Sequence, residues 1–328
     1  MSPKGAGPKR KLGMKDVLLW SQGEPPPPGP RRIGIHTSTA GGVAQAAERA
    51  YRLGANTFQI FSSSPRQWQP YKLPQEQCDE MRRLREKYSL SPLVIHTSYL
   101  VNLASATPEF HRKSVQAFRG ELQRGLALGA DFLVMHPGSF RGRSREEGLQ
   151  LVAHSIAEAA QGLVLEKSGL RVLIENTAGA EFSLGGSFEQ VAHLLEYLRP
   201  VCPAGACIDT CHTIVSGYDI VSEKGWRQTI QQLETTIGLE NVFVWHCNDA
   251  KDPLGSRRDR HEHIGKGTIG LEPFRRLLND PRTKHAAFIA ETPIDEPQDD
   301  LRNVERLKSL VVARRSSLTT RKVRRSLG

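Results

Sequence analysis

Eight short apolar runs punctuate residues 33–313, and seven of them end on a histidine, an aspartate or a glutamate. The runs are 33–36, 57–61, 93–96, 132–136, 172–175, 206–209, 242–246 and 286–291, several rich in β-branched residues. Runs of that length bounded by polar residues read as buried strands. Between them lie stretches with helical periodicity, including 43–53, 75–88, 109–128 and 145–166. Strand then helix, eight times over about 280 residues, is the arithmetic of an α/β chain folded as a (β/α)8 TIM barrel. A doubly wound open sheet shows the same alternation, so the count favours the barrel without deciding it.

The ends of the runs say more. In a barrel every C-terminal strand end faces one rim, where the active sites of this fold are built. His36, His96, His136, Glu175, Asp209, His246 and Glu291 would converge there. A lone histidine at a strand end is most often a hydrogen-bonded structural residue. Seven titratable groups on one rim are different, because crowding them is costly unless cations hold them. Two loop clusters add to the set: Asp209-Thr-Cys-His212, and Asp259-Arg-His261 in a Gly/Arg-rich stretch. Positions i and i+2 of an extended loop point the same way, so Asp259 and His261 can grip one ion. Imidazole with carboxylate suits catalytic zinc or manganese better than structural zinc. A thiolate site from Cys202, Cys207, Cys211 and His212 is set aside, on the expectation that Cys207 faces away from Asp209 and because no CxxC is present.

Composition bounds the setting. The 328 residues carry a formal charge of +10, but 33–313 nets −1. The excess lies in residues 1–32, at +5, and 314–328, at +6. Both segments read as disordered basic tails, the first Pro/Gly/Lys-rich with a PPPPGP run, the second Arg/Ser/Thr-rich. The organisation expected is therefore tail, one barrel domain over 33–313, and tail. Mean hydropathy is −0.43 and no apolar run is long enough to cross a bilayer, so no membrane partner is expected. Five cysteines without a disulfide-framework spacing, and no secretory signal, give a reduced, cytoplasmic reading.

The motifs GIHTSTAGG (34–42), GANTFQIFSSSPRQW (54–68), HTSYLVNLAS (96–105), LGADFLVMHPGS (128–139), IENTAGAEFSLG (174–185), CIDTCHTIVSGYD (207–219), WHCNDAKDPLGSRRDRHEHIGKGTIG (245–270) and AETP (290–293) occur in this order. Together they resemble the endonuclease IV family, zinc-dependent AP endonucleases on a xylose-isomerase-like barrel. The resemblance implies three zinc ions, with manganese tolerated, held by nine side chains. One ion takes His96, His136 and Glu175; a second shares Glu175 and adds Asp209, His246 and Glu291; the third takes His212, Asp259 and His261. It further implies hydrolysis of the phosphodiester 5′ of an abasic site by hydroxide bridging two ions, with Glu175 and Glu291 central to catalysis. The products are a 3′-hydroxyl and a 5′-deoxyribose phosphate. Arg66, Tyr99 and Leu100, beside Trp68, resemble the family's DNA wedge, which fills the gap left by the missing base. The implied partner is double-stranded DNA containing abasic sites, met by a monomer at the nucleoid. Ser64, Cys247 and Ala290 stand where the family commonly has Asn, an aliphatic residue and Leu, and none of them is a ligand.

Two rivals are weighed. A sugar isomerase or epimerase of the same superfamily needs neither the Asp259/His261 pair nor Arg66, Tyr99 and Leu100. A nucleic-acid-binding protein with an inactive barrel does not need nine ligands. His36 is expected to support a ligand, and His263 and Lys266 to face phosphate. His111, His154, His193 and His285 are expected at surface or packing positions.

Overall fold

The computed structural model describes residues 29–68 and 72–312. Its strands are Arg32–His36 (β1), Thr57–Phe61 (β2), Leu93–His96 (β3), Phe132–Met135 (β4), Arg171–Glu175 (β5), Ala204–Asp209 (β6), Val242–His246 (β7), Asp249–Ala250 (β8), His261–Glu262 (β9) and Ala287–Ala290 (β10). Strands β1–β7 and β10 form a closed parallel barrel, in which β1 pairs with both β2 and β10. The alternation is thus that of a (β/α)8 barrel and not of an open sheet. The antiparallel β8–β9 pair stands apart, in the connection from β7 to β10. Residues 1–28 of the first basic tail and all of the second, 314–328, fall outside the described residues; Arg32, counted with the first tail, begins β1.

The helices begin and end where local chemistry dictates. Arg145–Ala160 opens with a capping box in which the Ser144 hydroxyl accepts from the Glu147 amide and the Glu147 carboxylate accepts from the Ser144 amide. Pro108–Leu128 starts with proline in its first turn and stops at Gly129, whose φ of 65° lies in the left-handed region that a glycine adopts without cost. Thr210–Val215 is capped by the side chain of Asp209, which accepts from the His212 amide.

Strand parity positions the site. The barrel interior is packed by Val94, Val134, Leu173, Cys207, Val244, Ala287 and Ile289, all nearly inaccessible. Burying each of the Val, Leu and Ile side chains among them is stabilising by about 1.5–3 kcal/mol. Side chains two residues apart on a strand share a face. His96, His136, Glu175, Asp209, His246 and Glu291 each stand two positions beyond one of these interior residues. The apolar floor therefore carries the polar rim directly above it. Residues between them, such as Ile95, Ile174 and Ile208, face the helices in the larger core. The same parity corrects one expectation: Cys207 shares the inward face with Asp209 instead of opposing it.

Candidate metal centre

Glu175 sits at the middle of the rim with no accessible surface. Its Oε2 lies 3.0 Å from His96 Nε2 and 3.1 Å from His136 Nε2. Its Oε1 lies 3.0 Å from His246 Nδ1 and 3.4 Å from His212 Nδ1. Glu291 Oε2 is 3.2 Å from His246 Nδ1. Further along the rim, Asp259 faces His212 Nε2 at 3.1 Å and His261 Nε2 at 3.3 Å, and His261 Nε2 is 3.6 Å from Asp209. By mutual reach of their ligand atoms these side chains sort into His96/His136/Glu175, Glu175/Asp209/His246/Glu291 and His212/Asp259/His261. The sorting coincides with the three sets anticipated above. Two overlapping groups include a thiol, Glu175/Cys207/His246 and Asp209/Cys211/His261. Burial pushes both thiols up, Cys207 to about 12 and Cys211 further, so they stay protonated.

The surroundings fix which ring nitrogen faces inward. His96 Nδ1 is 2.8 Å from the Thr97 carbonyl, His212 Nδ1 is 2.9 Å from the Asn176 carbonyl, and His261 Nδ1 is 3.1 Å from the Glu291 carbonyl. A carbonyl only accepts, so these nitrogens carry a proton and Nε2 is the atom turned toward the carboxylates, where it would hold either a second proton or a cation. His246 is reversed, with Nε2 donating to Gln59 Oε1 at 2.8 Å and Nδ1 left for the site. Ring-nitrogen lone pairs aimed at carboxylate oxygens repel unless a proton or a cation lies between them. His261 Nε2 is buried and makes no hydrogen bond, with Asp259 and Asp209 oxygens at 3.3 and 3.6 Å, a donor set whose chemistry fits a shared cation.

Titration behaviour agrees. Burial opposes charge on Glu175, yet His246, His136 and His212 hold its carboxyl well below the usual range. Burial also disfavours the imidazolium of His212, but Asp209, Asp259 and Glu175 raise it well above its ordinary value. For His261 burial is outweighed by Asp209, Asp259 and Glu291, and its value rises to about 9. Without cations His212 and His261 are held protonated, so a cation bound there would displace protons.

Residues the sequence reading passed over hold this arrangement. Gln59, fully buried on β2, reaches His246, His36 Nδ1 at 3.0 Å and Glu291 Oε1 at 2.5 Å. Asn248 donates to Asp209 Oδ2 at 2.6 Å and accepts from the Glu291 amide at 2.7 Å. Asn176 Oδ1 accepts from the Asp209 amide at 2.7 Å. Asp249 takes the amides of Gly265, Ile269 and Gly270 at 2.9, 2.9 and 3.2 Å, tying down the loop that carries Asp259 and His261. The available signal was a lone Gln at inward parity in the apolar run TFQIF.

His36 lies 3.6 Å from Glu291, as a supporting residue would. His263 departs from expectation: it is buried, its Nδ1 engaged by Asn303 and its Nε2 3.7 Å from Asp299, so helix packing and not phosphate occupies it. Lys266 is exposed, as are His154, His193 and His285; His111 pairs with Ser155 at 2.7 Å. Arg66 is exposed, and Tyr99, at 67% exposure, is the most accessible large apolar side chain among the described residues. Leu100 is half-buried next to it. The Tyr99 ring meets Phe61 edge-on at 5.2 Å and lies 6.2 Å from His96, placing it at the lip of the metal cluster.

Residues 47–310 match the xylose isomerase-like TIM barrel family, the class that the closed barrel and its histidine–carboxylate rim define. The probable endonuclease 4 of Solibacter usitatus (strain Ellin6076) is 50% identical over 281 residues, covering 85% of this chain and 96% of that protein. The crystal structure of endonuclease IV from Thermus thermophilus superposes with a TM-score of 0.74 at 38% identity, over 85% of this chain and 98% of that one. The chain belongs to the endonuclease IV family. A D-tagatose 3-epimerase-like protein, at 20% identity and a TM-score of 0.62 over 85% of this chain and 96% of that one, shares the fold alone. Among the described residues no helix is long and apolar enough to cross a membrane.

Proposed function

We propose that this protein is an apurinic/apyrimidinic endonuclease of base excision repair. It would hydrolyse the phosphodiester 5′ of an abasic site in duplex DNA, leaving a 3′-hydroxyl and a 5′-deoxyribose phosphate. The observation that carries the reading is the sorting of nine nitrogen- and oxygen-bearing side chains into three adjoining groups on one barrel rim. Three zinc ions are the cations this donor set fits, with manganese tolerated. Bound zinc supplies Lewis acidity toward a phosphoryl oxygen and brings the pKa of water near neutrality.

The chain's own residues do the rest. Glu175 directs one oxygen toward His96 and His136 and the other toward His246, so a single carboxylate spans two of the groups. Gln59 and Asn248 hold His246, Asp209 and Glu291 in register, which keeps their donor atoms aimed inward without reorganisation. Arg66 and the exposed Arg257 and Arg258, on the loop that bears Asp259, offer positive charge to the DNA backbone. Tyr99, at the lip of the cluster, and Leu100 beside it would enter the base stack. An abasic nucleotide has little stacking to lose, so turning it toward the metal rim costs less than turning an intact one. The enzyme would work as a monomer on chromosomal DNA, in the cytoplasm at the nucleoid.

The deciding experiment is a nicking assay on a duplex with one synthetic abasic site, with and without EDTA preincubation, beside elemental analysis of the dialysed protein. Cleavage 5′ of the lesion, abolished by EDTA, with close to three zinc ions per chain is the expected result. A metal ratio near one in an active preparation would sink the three-ion reading, and an intact abasic strand would sink the activity.

A further inference from the structure

The segment carrying Arg66 is held by a few polar ties. It leaves β2 at Ser62 and spans a cavity of about 330 Å³ whose walls include Ser63, Trp68, Ser98, Lys113, Glu121 and Arg124. Buried Ser62 donates its hydroxyl to Glu121 Oε2 and accepts from Arg124 Nε at 2.7 Å. Ser63 reaches Glu121 Oε1 at 3.4 Å, and Arg124 pairs with Glu121 at 3.1 Å, both side chains almost inaccessible on helix Pro108–Leu128. The Ser98 hydroxyl donates to the Pro65 carbonyl at 2.8 Å and accepts the Leu100 amide at 3.2 Å. One hydroxyl thus joins the strap before Arg66 to the strap bearing Tyr99 and Leu100.

A buried ion pair is a poor source of net stability, since two apolar side chains of similar volume do as well or better. What it supplies is direction. The rigid fork of Arg124 and the two oxygens of Glu121 together engage Ser62 and Ser63, which orients the start of the strap. We propose that Glu121 and Arg124, acting through Ser62, and Ser98, acting through Pro65, are positioning residues that hold Arg66, Tyr99 and Leu100 as one rigid lesion-reading unit. This rests on the DNA-cleaving function proposed above and adds what sets the geometry of its recognition surface.

The test is the double variant Ser62→Ala/Ser98→Ala, which leaves Glu121 and Arg124 paired and so leaves no buried charge uncompensated. Amide exchange in 62–68 and 98–101 is expected to quicken. KM for the abasic duplex is expected to rise about tenfold, a loss of ~1.4 kcal/mol. The kcat at saturating duplex and the zinc content are expected to stay at the wild-type level, and Ser62→Thr to behave as wild type. Replacing the pair together, Glu121→Leu with Arg124→Met, is expected to give the same KM shift; if that variant does not fold, the serine replacements carry the test alone. Unchanged exchange, faster exchange with unchanged KM, or a loss confined to kcat would each overturn the proposal. Failure of the wild-type protein to cleave would instead overturn the function, and the exchange data would still decide whether the ties rigidify the two straps.

Discussion

Replacing Gln59 by leucine keeps the volume of the side chain and removes every hydrogen bond it makes. Three groups lose a partner: the His246 Nε2 donor at 2.8 Å, His36 Nδ1 at 3.0 Å and Glu291 Oε1 at 2.5 Å. His246 is inaccessible, so its N–H cannot turn to water, and leaving such a buried group unpaired costs about 1–3 kcal/mol. The more telling loss is in metal retention. With Nε2 released, the His246 ring is free to rotate or change tautomer, and Nδ1 is no longer directed between Glu175 and Glu291. Loss of such an orienting partner lowers metal affinity or activity by about 10–100-fold. The assay is chelator competition followed by elemental analysis, with single-turnover cleavage of an abasic duplex alongside. If three ions are bound as proposed, the variant is expected to keep those at His96/His136 and His212/Asp259/His261 and to lose the one between them at chelator concentrations the wild type withstands. Full retention of all ions with unchanged turnover would refute the argument that Gln59 orients His246.

Glu175→Gln and Glu291→Gln preserve shape but remove the charge that spans or closes the central groups; both are expected to lose several orders of magnitude of cleavage while duplex affinity changes far less, checked by single-turnover rates and equilibrium binding. Near-native turnover with full metal content would remove either residue from the chemistry. Replacing Arg66, Tyr99 and Leu100 together by alanine is expected to cut the preference for abasic over intact duplex with zinc content unchanged; equal weakening on both duplexes would make them general DNA contacts. Asp300, buried beside Asp299, is raised to about 7 by burial first and its acidic neighbour second. Its folded value lies above its unfolded one, so the stability it contributes is full below about pH 4 and lost as pH rises through about 7, amounting to at most ~4 kcal/mol. Asp300→Asn is expected to flatten the fall in urea midpoint between about pH 4 and pH 8, and an equal fall in both proteins would exclude Asp300 as its source.

The nine rim side chains are legible in the sequence because each closes an apolar run or sits at i, i+2 or i, i+3 spacing from another. Barrel geometry then converts position along the chain into position around the rim. Gln59 is not legible in that way, since its partners among the nine, His246 and Glu291, lie more than 180 residues away and meet it only once the barrel closes. The same holds for Ser62 and Glu121, whose contact spans 59 residues. His263 shows the converse limit. Its neighbourhood to His261 places it near the rim, but helix Asp299–Ser309 supplies Asn303 and Asp299 to occupy it, a contact that motif spacing does not encode. Cys207 needed only the two-residue period of a strand to be placed facing inward.

The way the rim groups are shared among the strands also governs how the barrel comes apart. Strands β3, β5, β6 and β7 end on rim side chains, and β4 and β10 are followed directly by them, whereas β1 and β2 join the cluster only through His36 and Gln59. Cations held on the rim would lace six strands into one arc and leave the β1–β2 pair as its loosest seam. Ligation of the native state alone deepens its free-energy well, and sub-global openings that keep the ligands intact do not feel the gain. Metal loading is therefore expected to slow amide exchange most in β5 and β6, on the side of the barrel across from that seam, and least in β1, β2 and helix Ala44–Arg52. The catalytic rim would then serve as the latch that decides where the barrel opens first.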